Sequence, residues 1–174
     1  MNIAGQAALG FEDRPGSLWT RSHKYDPRAA ALADRHYSRR TIGAPQIMPP
    51  GETLVLVTPG GDAVFGWWRP HPRSGLKAMN GLDGWTCTIF RNEGAVLSSA
   101  LILDAERDLL AAGVTVGPDG LITYVFDARV RRKRDPGRCF RKAGWRVTGR
   151  SADDRKTLLQ KPVDLIGISP GENP

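Results

Sequence analysis

The stretch LITYVFDARVRRKRDPGRCFRKAGW (residues 121–145) decides the fold. Its first six residues are β-branched, aromatic or leucine, and they predict a buried strand that carries Asp127 at its carboxyl end. A dense basic run follows, after which Asp135-Pro136 predicts the start of a short helix that ends at Gly144. A carboxylate beside clustered Arg and Lys side chains indicates chemistry next to a phosphate-bearing partner.

Strand and helix patterns continue on both sides of this stretch. Ahead of it, apolar periodicity and turn residues predict a helix over residues 27–36, strands over 52–58, 63–68 and 85–90, and a helix over 95–112. After it, they predict strands over 145–148 and 156–161. Gly66 inside a strand predicts a bulge or a close backbone approach. This order predicts an α/β protein with a mixed central sheet flanked by helices.

The 174 residues are most economically one domain. Residues 1–25 show no clear period and predict a loosely attached arm, residues 26–165 form the folded domain, and residues 166–174 predict a flexible tail. No apolar run approaches the roughly 20 residues of a membrane helix, and the first residues lack the pattern of an export signal. With only Cys87 and Cys139 in the chain, a reducing cytoplasm is the expected location.

The positive charge of the chain is concentrated. Net charge is +7, and ten Arg or Lys side chains fall between residues 129 and 150. Such a cluster is typical of nucleic-acid binding. It would equally suit an anionic cofactor such as a nucleotide or coenzyme A, so both partners remain open at this point.

One candidate site lies where a strand leads into the main helix, in TIFRNEGAVLSS (residues 88–99). A helix start presents unpaired N–H groups, which suit an anion. There Arg91, Asn92 and Gly94 are candidates for binding a cofactor, and Ser98 or Ser99 could add a hydroxyl. An ordinary strand-to-helix turn is the alternative. Neither a Walker nor a GxGxxG pattern occurs.

His36, Tyr37 and Asp127 are the other candidates for catalysis. His36 lies next to an aromatic hydroxyl at a helix end and could act as a general base or metal ligand. Asp127 follows a strand at the edge of the sheet where ligands usually bind, although a salt bridge to Arg129 or Arg131, or a turn cap, is the alternative. No second His or Cys lies at a metal-ligand spacing, so a zinc site is not expected.

Trp67 and Trp68 could stack on an extruded base, because aromatic rings are sequence-tolerant platforms. Side chains alternate along a strand, so at least one of the two belongs to the core.

The strand and helix over residues 85–112, the strand ending at Asp127 and the phrase CFRKAGWRVTGRS resemble GNAT-type acyltransferases. The chain lacks the Gln/Arg-x-x-Gly-x-Gly/Ala pyrophosphate signature of that superfamily. A narrower resemblance, over residues 30–160, is to the Mom family of phage DNA-modification proteins, a divergent GNAT branch. It is carried by RHYSRR (35–40), FRNEGAVLSS (90–99), YVFDAR (124–129) and FRKAGW (140–145).

The resemblance implies a GNAT-like catalytic domain over residues 26–165 that adds a carbamoylmethyl-type (acetamido) group to N6 of adenine in phage DNA, protecting it from host restriction. It implies a catalytic site formed by His36, Tyr37, Ser98, Ser99 and Asp127, in the cytoplasm of the host cell if the protein is phage-encoded. Phe140 is the nearest counterpart of a final aromatic residue of the family.

The resulting hypothesis has double-stranded DNA and a small-molecule group donor as partners. The residues expected to contact DNA are Arg39, Arg40, Trp67, Trp68, Arg131, Arg132, Lys133, Arg134 and Arg138. The donor is an acyl-CoA or another small molecule, and a metal ion held by His36, Tyr37 and Asp127 is also open. The alternatives are an acetyl-CoA-dependent acetyltransferase of a small amine or protein, and a non-catalytic DNA-binding module.

Overall fold

A mixed seven-stranded sheet forms the centre of the computed structural model, which describes residues 12–130 and 135–172. The strands are β1 (Thr20–Ser22), β2 (Glu52–Val57), β3 (Ala63–Arg69), β4 (Trp85–Asn92), β5 (Leu121–Val125), β6 (Arg146–Arg150) and β7 (Thr157–Lys161). Their order in space is β1-β2-β3-β4-β5-β7-β6. Every neighbouring pair is antiparallel except β4 and β5.

Helices cover both faces of this sheet. They are α1 (Pro27–Asp34), α2 (Ser98–Ala111) and α3 (Arg138–Lys142). Strand β2 explains the arrangement, because its apolar residues alternate between two cores: Leu54 and Leu56 belong to the cluster that contains α2 and α3, and Val55 and Val57 to the cluster that contains α1. The prediction of an α/β protein with a mixed, helix-flanked sheet is confirmed. No helix among the described residues has the length and apolar character to cross a membrane.

One end of α1 and the start of α2 differ from the sequence prediction for local reasons. The N–H of Arg28 donates to the Asp26 carboxylate, which caps α1, and α1 ends at Asp34 rather than near His36. Helix α2 begins at Ser98, three residues later than predicted. The Asn92 side chain accepts the Gly94 N–H and donates to the Val96 carbonyl, which holds this segment in an irregular turn.

Strands β4 and β5 separate at their carboxyl ends. They pair only between Trp85–Cys87 and Leu121–Thr123. Beyond this point β4 follows β3, with a register shift at Gly66 that leaves Thr88 without a partner residue on β3. A Cβ atom at Gly66 would lie 2.6 Å from the Met48 Sδ and 2.8 Å from the Ile89 Cγ2. The predicted bulge at Gly66 is therefore confirmed, whereas the groups that approach it closely are the Met48 and Ile89 side chains and not a backbone segment. The separation of β4 from β5 leaves an opening where ligands of α/β proteins usually bind.

The first described residues are part of the domain, so the prediction of a loosely attached arm is wrong for residues 12–25. Strand β1 pairs with β2, and Trp19 is buried with its Nε1–H donating to the Leu101 carbonyl at 2.9 Å. Arg14 and Ser17 contact two buried carboxylates of α2, Asp104 and Asp108. These carboxylates need partners in the interior, which residues 12–25 supply. Residues 1–11 lie outside the described residues.

The predicted flexible tail also begins in contact with the domain. Ile166 is buried, and the Gly167 N–H donates to the carboxylate of Glu106 in α2. Residues 173–174 lie outside the described part of the chain.

A buried ion pair joins α2 to β7. Lys161 Nζ lies 2.7 Å from Glu106 Oε2, and the two side chains are 1% and 0% exposed. Lys161 also donates to the carbonyls of Ala143 and Ile168, and Glu106 accepts the Trp145 Nε1–H. Burial raises the pKa of Glu106, while Lys161 acts in the opposite direction. Since both charges are paired and hydrogen-bonded, the pair holds four segments together.

We expect Lys161→Met to lower the free energy of unfolding by about 3–5 kcal/mol, because it leaves the Glu106 carboxylate buried without its cation. Urea unfolding measures this loss. Lys161→Met combined with Glu106→Gln should be more stable than Lys161→Met alone, since the unpaired charge is removed. The exposed Lys77→Met is the control, with an expected change within about 0.5 kcal/mol. Equal losses for Lys77→Met and Lys161→Met would contradict the assignment.

Candidate active site

Two adjoining cavities occupy the opening between β4 and β5. We call them the Ser98 cavity, of about 1130 Å³, and the Trp68 cavity, of about 930 Å³. The Ser98 cavity lies between β4, the start of α2, the segment after α1, and α3. The Trp68 cavity lies between Trp68, the loop after α1 and the turn between β6 and β7. They share a wall formed by Tyr37, Ser38, Cys87, Thr88, Ile89, Tyr124 and Arg129.

The Ser98 cavity brings together most of the residues that the sequence predicts for catalysis and cofactor binding. Its lining includes His36, Tyr37, Arg91, Asn92, Ser98, Ser99 and Arg138. These come from three regions that are distant in sequence. The cavity is also basic. Its cationic lining residues are Arg35, Arg91, Arg129, Arg138 and Lys142, and its acidic lining residue is Asp135.

Tyr37 lies on the shared wall with its hydroxyl in the interior. Burial raises the pKa of Tyr37, although a hydrogen bond from the backbone N–H of Phe126 opposes the shift. The nearby Cys87, Cys139 and Asp127 raise the pKa of Tyr37 further. Tyr37 is therefore a protonated phenol at neutral pH, able to donate a proton or a hydrogen bond. Burial also raises the pKa of Cys87, so this neighbour is a thiol and not a nucleophilic thiolate.

His36 stacks on Tyr37, with ring centroids 4.3 Å apart. Its Nδ1 accepts the Ser38 N–H at 3.2 Å and lies 2.7 Å from the Ser38 Oγ. The acceptor role of Nδ1 places the proton of a neutral ring on Nε2. The short turn after α1 thus orients both aromatic rings. Of the three predicted catalytic residues that lie outside α2, His36 and Tyr37 line a cavity and Asp127 does not.

Asp127 lines neither cavity. It begins a 3₁₀ turn (Asp127–Arg129), and its Oδ2 accepts hydrogen bonds from Arg150 Nη1 at 2.8 Å and Thr157 Oγ1 at 2.7 Å. Its Oδ1 is buried and has no hydrogen-bond partner among the described residues. Asp127 therefore forms a salt bridge, but its partner is Arg150, which the sequence analysis did not name, because β6 and β7 return beside the end of β5.

The predicted metal ligands do not converge. His36 Nδ1 is engaged with Ser38, the Tyr37 hydroxyl accepts the Phe126 N–H, and Asp127 is paired with Arg150. Over residues 12–130 and 135–172, no group of three or more His, Cys, Asp or Glu side chains is arranged to hold a metal ion.

Arg91 and Asn92 line the Ser98 cavity while being fixed by protein contacts. Arg91 and Arg35 both bind the Glu93 carboxylate, at 2.6 Å and 2.8 Å, and these hydrogen bonds lower the pKa of Glu93 to about 2, with Arg35 the larger cause. Asn92 donates to the Ser98 Oγ at 3.1 Å besides forming its turn. The network orients Arg91 towards the segment after α1 and shapes the cavity edge.

Gly94 has a structural reason to be glycine, and the prediction that it approaches a cofactor is wrong. It lines neither cavity, and its N–H donates to the Asn92 Oδ1. A Cβ atom at position 94 would lie 2.3 Å from the Asp62 Oδ2. The turn between β2 and β3 therefore occupies the space that a ligand was expected to fill.

Two of the residues predicted to contact DNA are structural. Trp67 is fully buried and its Nε1–H donates to the Ala105 carbonyl, so no base can reach it. Arg39 is paired with Asp34 and donates to the carbonyls of Ala44 and Gln46, which fixes the loop after α1. The expectation that at least one tryptophan of the pair belongs to the core is confirmed.

The other residues predicted to contact DNA divide by location. Trp68 and the exposed Arg40 line the Trp68 cavity, and the exposed Arg138 lines the Ser98 cavity. Arg131, Arg132, Lys133 and Arg134 lie outside the described residues.

The sequence analysis missed the basic and aromatic residues opposite Trp68. Tyr124, Phe126, Arg155 and Lys156 line the Trp68 cavity together with Arg129. Tyr124 was assigned to the core but is half-buried, with its hydroxyl donating to the Met79 carbonyl. The charged turn after β6 is visible in the sequence. Its position depends on the pairing of β5 with β7, which brings Thr157 opposite Val125.

No family model, curated protein or solved structure matches this chain. A functional proposal therefore depends on the cavities and their residues.

Gly94→Ala should lower the free energy of unfolding by about 1–3 kcal/mol, because its new methyl group overlaps the Asp62 carboxylate. Chemical denaturation measures the change. Asp62→Ala removes the obstructing atoms. The loss of unfolding free energy in the double variant should therefore be smaller than the sum of the losses in the two single variants, by about 0.5–3 kcal/mol. Strict additivity would show that the packing against Asp62 is not what requires glycine.

We expect the Tyr37 phenol to ionise at a higher pH than an ordinary tyrosine. Subtracting the tyrosinate absorbance of Tyr37→Phe from that of the wild type isolates the ionisation of Tyr37. In the folded protein the midpoint of this ionisation should lie above about pH 10, because burial disfavours the anion. Repeating the titration in denaturant should return the step to about pH 10. A folded-state step at or below that pH would contradict the burial of the hydroxyl.

Proposed function

We propose that the protein is a group-transfer enzyme with a GNAT-like fold that adds a carbamoylmethyl-type (acetamido) group to N6 of adenine in phage DNA, protecting that DNA from host restriction. The order β4, α2, β5, α3 and β6 supports the GNAT-like fold, since it is the order on which the resemblance depends. The single parallel pair, open at its carboxyl end, lies where α/β enzymes bind their substrates.

The observation that carries this proposal is the pair of cavities that meet at Tyr37. A transfer reaction needs a donor and an acceptor on either side of one reacting centre. Tyr37 lines both cavities, as do Ser38 and Thr88. A non-catalytic DNA-binding module has no need for two cavities that share a wall.

The Ser98 cavity suits the donor. Arg35, Arg91, Arg138 and Lys142 give it positive charge, and the start of α2 supplies backbone N–H groups at its edge. These features favour an anionic donor, a small molecule with a phosphate or carboxylate that carries its leaving group on the methylene carbon of the carbamoylmethyl group. An acyl-CoA transfers a carbonyl carbon and forms an amide, so it would suit acetyl transfer instead.

The Trp68 cavity suits the acceptor. An adenine within duplex DNA must leave the base stack for its N6 to react, at a cost of a few kcal/mol. Aromatic side chains in this cavity, Trp68 and Tyr124, offer a surface for a flipped base. The basic run that follows Val130 would bind the phosphate backbone of the duplex.

The chemistry requires one proton to leave the acceptor and one to reach the leaving group. A bond forms between N6 and the transferred carbon while the bond from that carbon to the donor breaks. Tyr37, protonated at neutral pH, would supply the proton to the leaving group. Of the two predicted bases for the N6 proton, His36 lines a cavity and Asp127 does not.

The basic lining of the Ser98 cavity also favours a second candidate, an acetyltransferase that uses acetyl-CoA on a small amine or protein. This enzyme would share the donor site and Tyr37 but not the nucleic acid. The presence or absence of modified adenine in the DNA of expressing cells distinguishes the two candidates.

Nucleosides prepared from the DNA of cells that express the protein should contain an N6-modified deoxyadenosine, detected by mass spectrometry. Tyr37→Phe should lower its yield by about 10²- to 10⁴-fold, because the proton donor is lost while the ring that stacks on His36 is kept. The matched control is Tyr25→Phe, which removes the hydroxyl of an exposed tyrosine that lines neither cavity. Its yield should equal that of the wild type.

Unmodified adenine in the presence of folded wild-type protein would refute DNA as the acceptor. Acetylation of small amines by the same preparation would then support the acetyltransferase. Equal yields from Tyr37→Phe and Tyr25→Phe would leave DNA modification standing and remove Tyr37 from its chemistry.

A further inference from the structure

Two arginines lie against one aromatic ring in the Trp68 cavity. The guanidinium carbon of Arg129 is 5.4 Å from the centroid of the Phe126 ring, and that of Arg155 is 5.8 Å from it. Both distances fall within the range of cation–π contacts. The ring therefore holds two positive charges, from residues 26 positions apart in sequence, at one side of the cavity.

Each arginine is also held by one hydrogen bond. Arg129 Nη1 donates to the Tyr37 carbonyl at 3.1 Å, and Arg155 Nε donates to the Asp153 carboxylate at 2.9 Å. A guanidinium has five N–H donors, so each retains donors for a ligand. These contacts pre-organise planar groups of the kind that bind phosphate in a bidentate manner.

The charge around these arginines is unbalanced inside the cavity. Arg39, Arg40 and Lys156 are further cations of the lining, and the described lining residues include no Asp or Glu. Like charges held close together repel each other, and an anion bound between them relieves that repulsion. Asp153 pairs with Arg155 at 2.9 Å and offsets part of this charge, while Arg129 and Lys156 have no ion pair with a carboxylate among the described residues.

The lining of the same cavity also offers aromatic surface. Trp68 Nε1 donates to the Pro50 carbonyl at 2.9 Å, and the Tyr124 hydroxyl donates to the Met79 carbonyl at 3.1 Å. With these polar atoms engaged, the rings present mainly apolar surface to a ligand. Aromatic surface facing a cluster of cations matches the two parts of a nucleotide, its base and its phosphate.

We propose that the Trp68 cavity is a nucleotide subsite in which Arg129 and Arg155, stacked on Phe126, bind the phosphate, and Trp68 with Tyr124 contacts the base. This inference rests on the proposed function for the nature of the nucleotide, which is the one extruded from DNA. It adds that the phosphate of that nucleotide is bound inside the cavity, by residues distinct from the basic run that follows Val130. A phosphate of the donor is the other source with the same chemistry.

The test compares 5′-dAMP with deoxyadenosine, which lacks the phosphate, by calorimetric titration of the wild-type protein. The wild type should bind 5′-dAMP at least tenfold more tightly than deoxyadenosine. Arg155→Ala should weaken 5′-dAMP binding about tenfold or more and leave deoxyadenosine unchanged, since it removes a charge-assisted contact to phosphate. Arg155→Lys keeps the charge without the planar group, so its affinity for 5′-dAMP should lie between those of the wild type and Arg155→Ala.

Arg107→Ala is the matched control, because Arg107 is an exposed arginine of α2 that donates one hydrogen bond, to the Gly167 carbonyl, and lines neither cavity. It should bind 5′-dAMP as the wild type does. Equal binding of 5′-dAMP and deoxyadenosine by the wild type, or equal losses in Arg155→Ala and Arg107→Ala, would overturn the subsite. The Arg155 side chain is 67% exposed, so Arg155→Ala should fold, which circular dichroism checks.

Coenzyme A, titrated in parallel, identifies the source of the phosphate. We expect its binding to be unaffected by Arg155→Ala, because the donor occupies the Ser98 cavity. A weakening equal to that of 5′-dAMP, with competition between the two ligands, would assign the phosphate to the donor and overturn the nucleotide subsite. Phosphate-dependent 5′-dAMP binding without any modified adenine in cellular DNA would refute the proposed function alone, whereas modified adenine without phosphate-dependent binding would refute this inference alone.

Discussion

The buried ion pair of Lys161 and Glu106 is the interaction on which the arrangement of the molecule depends. It connects α2 to β7 and, through further hydrogen bonds, to Trp145 and the segment at Ile168. Desolvating both charges is costly, so the pair is favourable only while all its partners remain in place. The same helix provides the edge of the Ser98 cavity at its other end. A constraint deep in the core therefore sets one wall of the candidate site.

The separation of β4 from β5 creates the opening that contains the candidate site. The two strands pair over three residues each, and Thr88 is left out of register with β3. Backbone groups released from pairing need other partners, and the Phe126 N–H finds one in the Tyr37 hydroxyl. Tyr37 thus closes the gap between the strands and divides the opening into two cavities. Because Tyr37 lies on the wall between the cavities, the separation of the two strands places it where the proposed transfer would occur.

Errors in the predicted site have specific physical causes. Gly94 and Trp67 carry patterns typical of ligand contact, yet Asp62 and the Ala105 carbonyl occupy the space around them. Asp127 lies at a strand end as predicted, but the return of β6 supplies Arg150 as its partner. Local sequence reveals that a residue is small, aromatic or charged. It does not reveal which distant segment already satisfies that residue.

The sequence by itself determined the order of strands and helices from α1 onwards and the mixed sheet, because apolar periodicity, turn residues and caps act over a few neighbouring residues. The grouping of His36 with Tyr37 and Ser98 as candidates depended on the family resemblance. Only the tertiary structure decided that α2 begins at Ser98, that residues 12–25 belong to the domain, and that Arg155 and Phe126 lie on one cavity. Strand register and side-chain packing decide these points, and both depend on contacts between residues far apart in the chain.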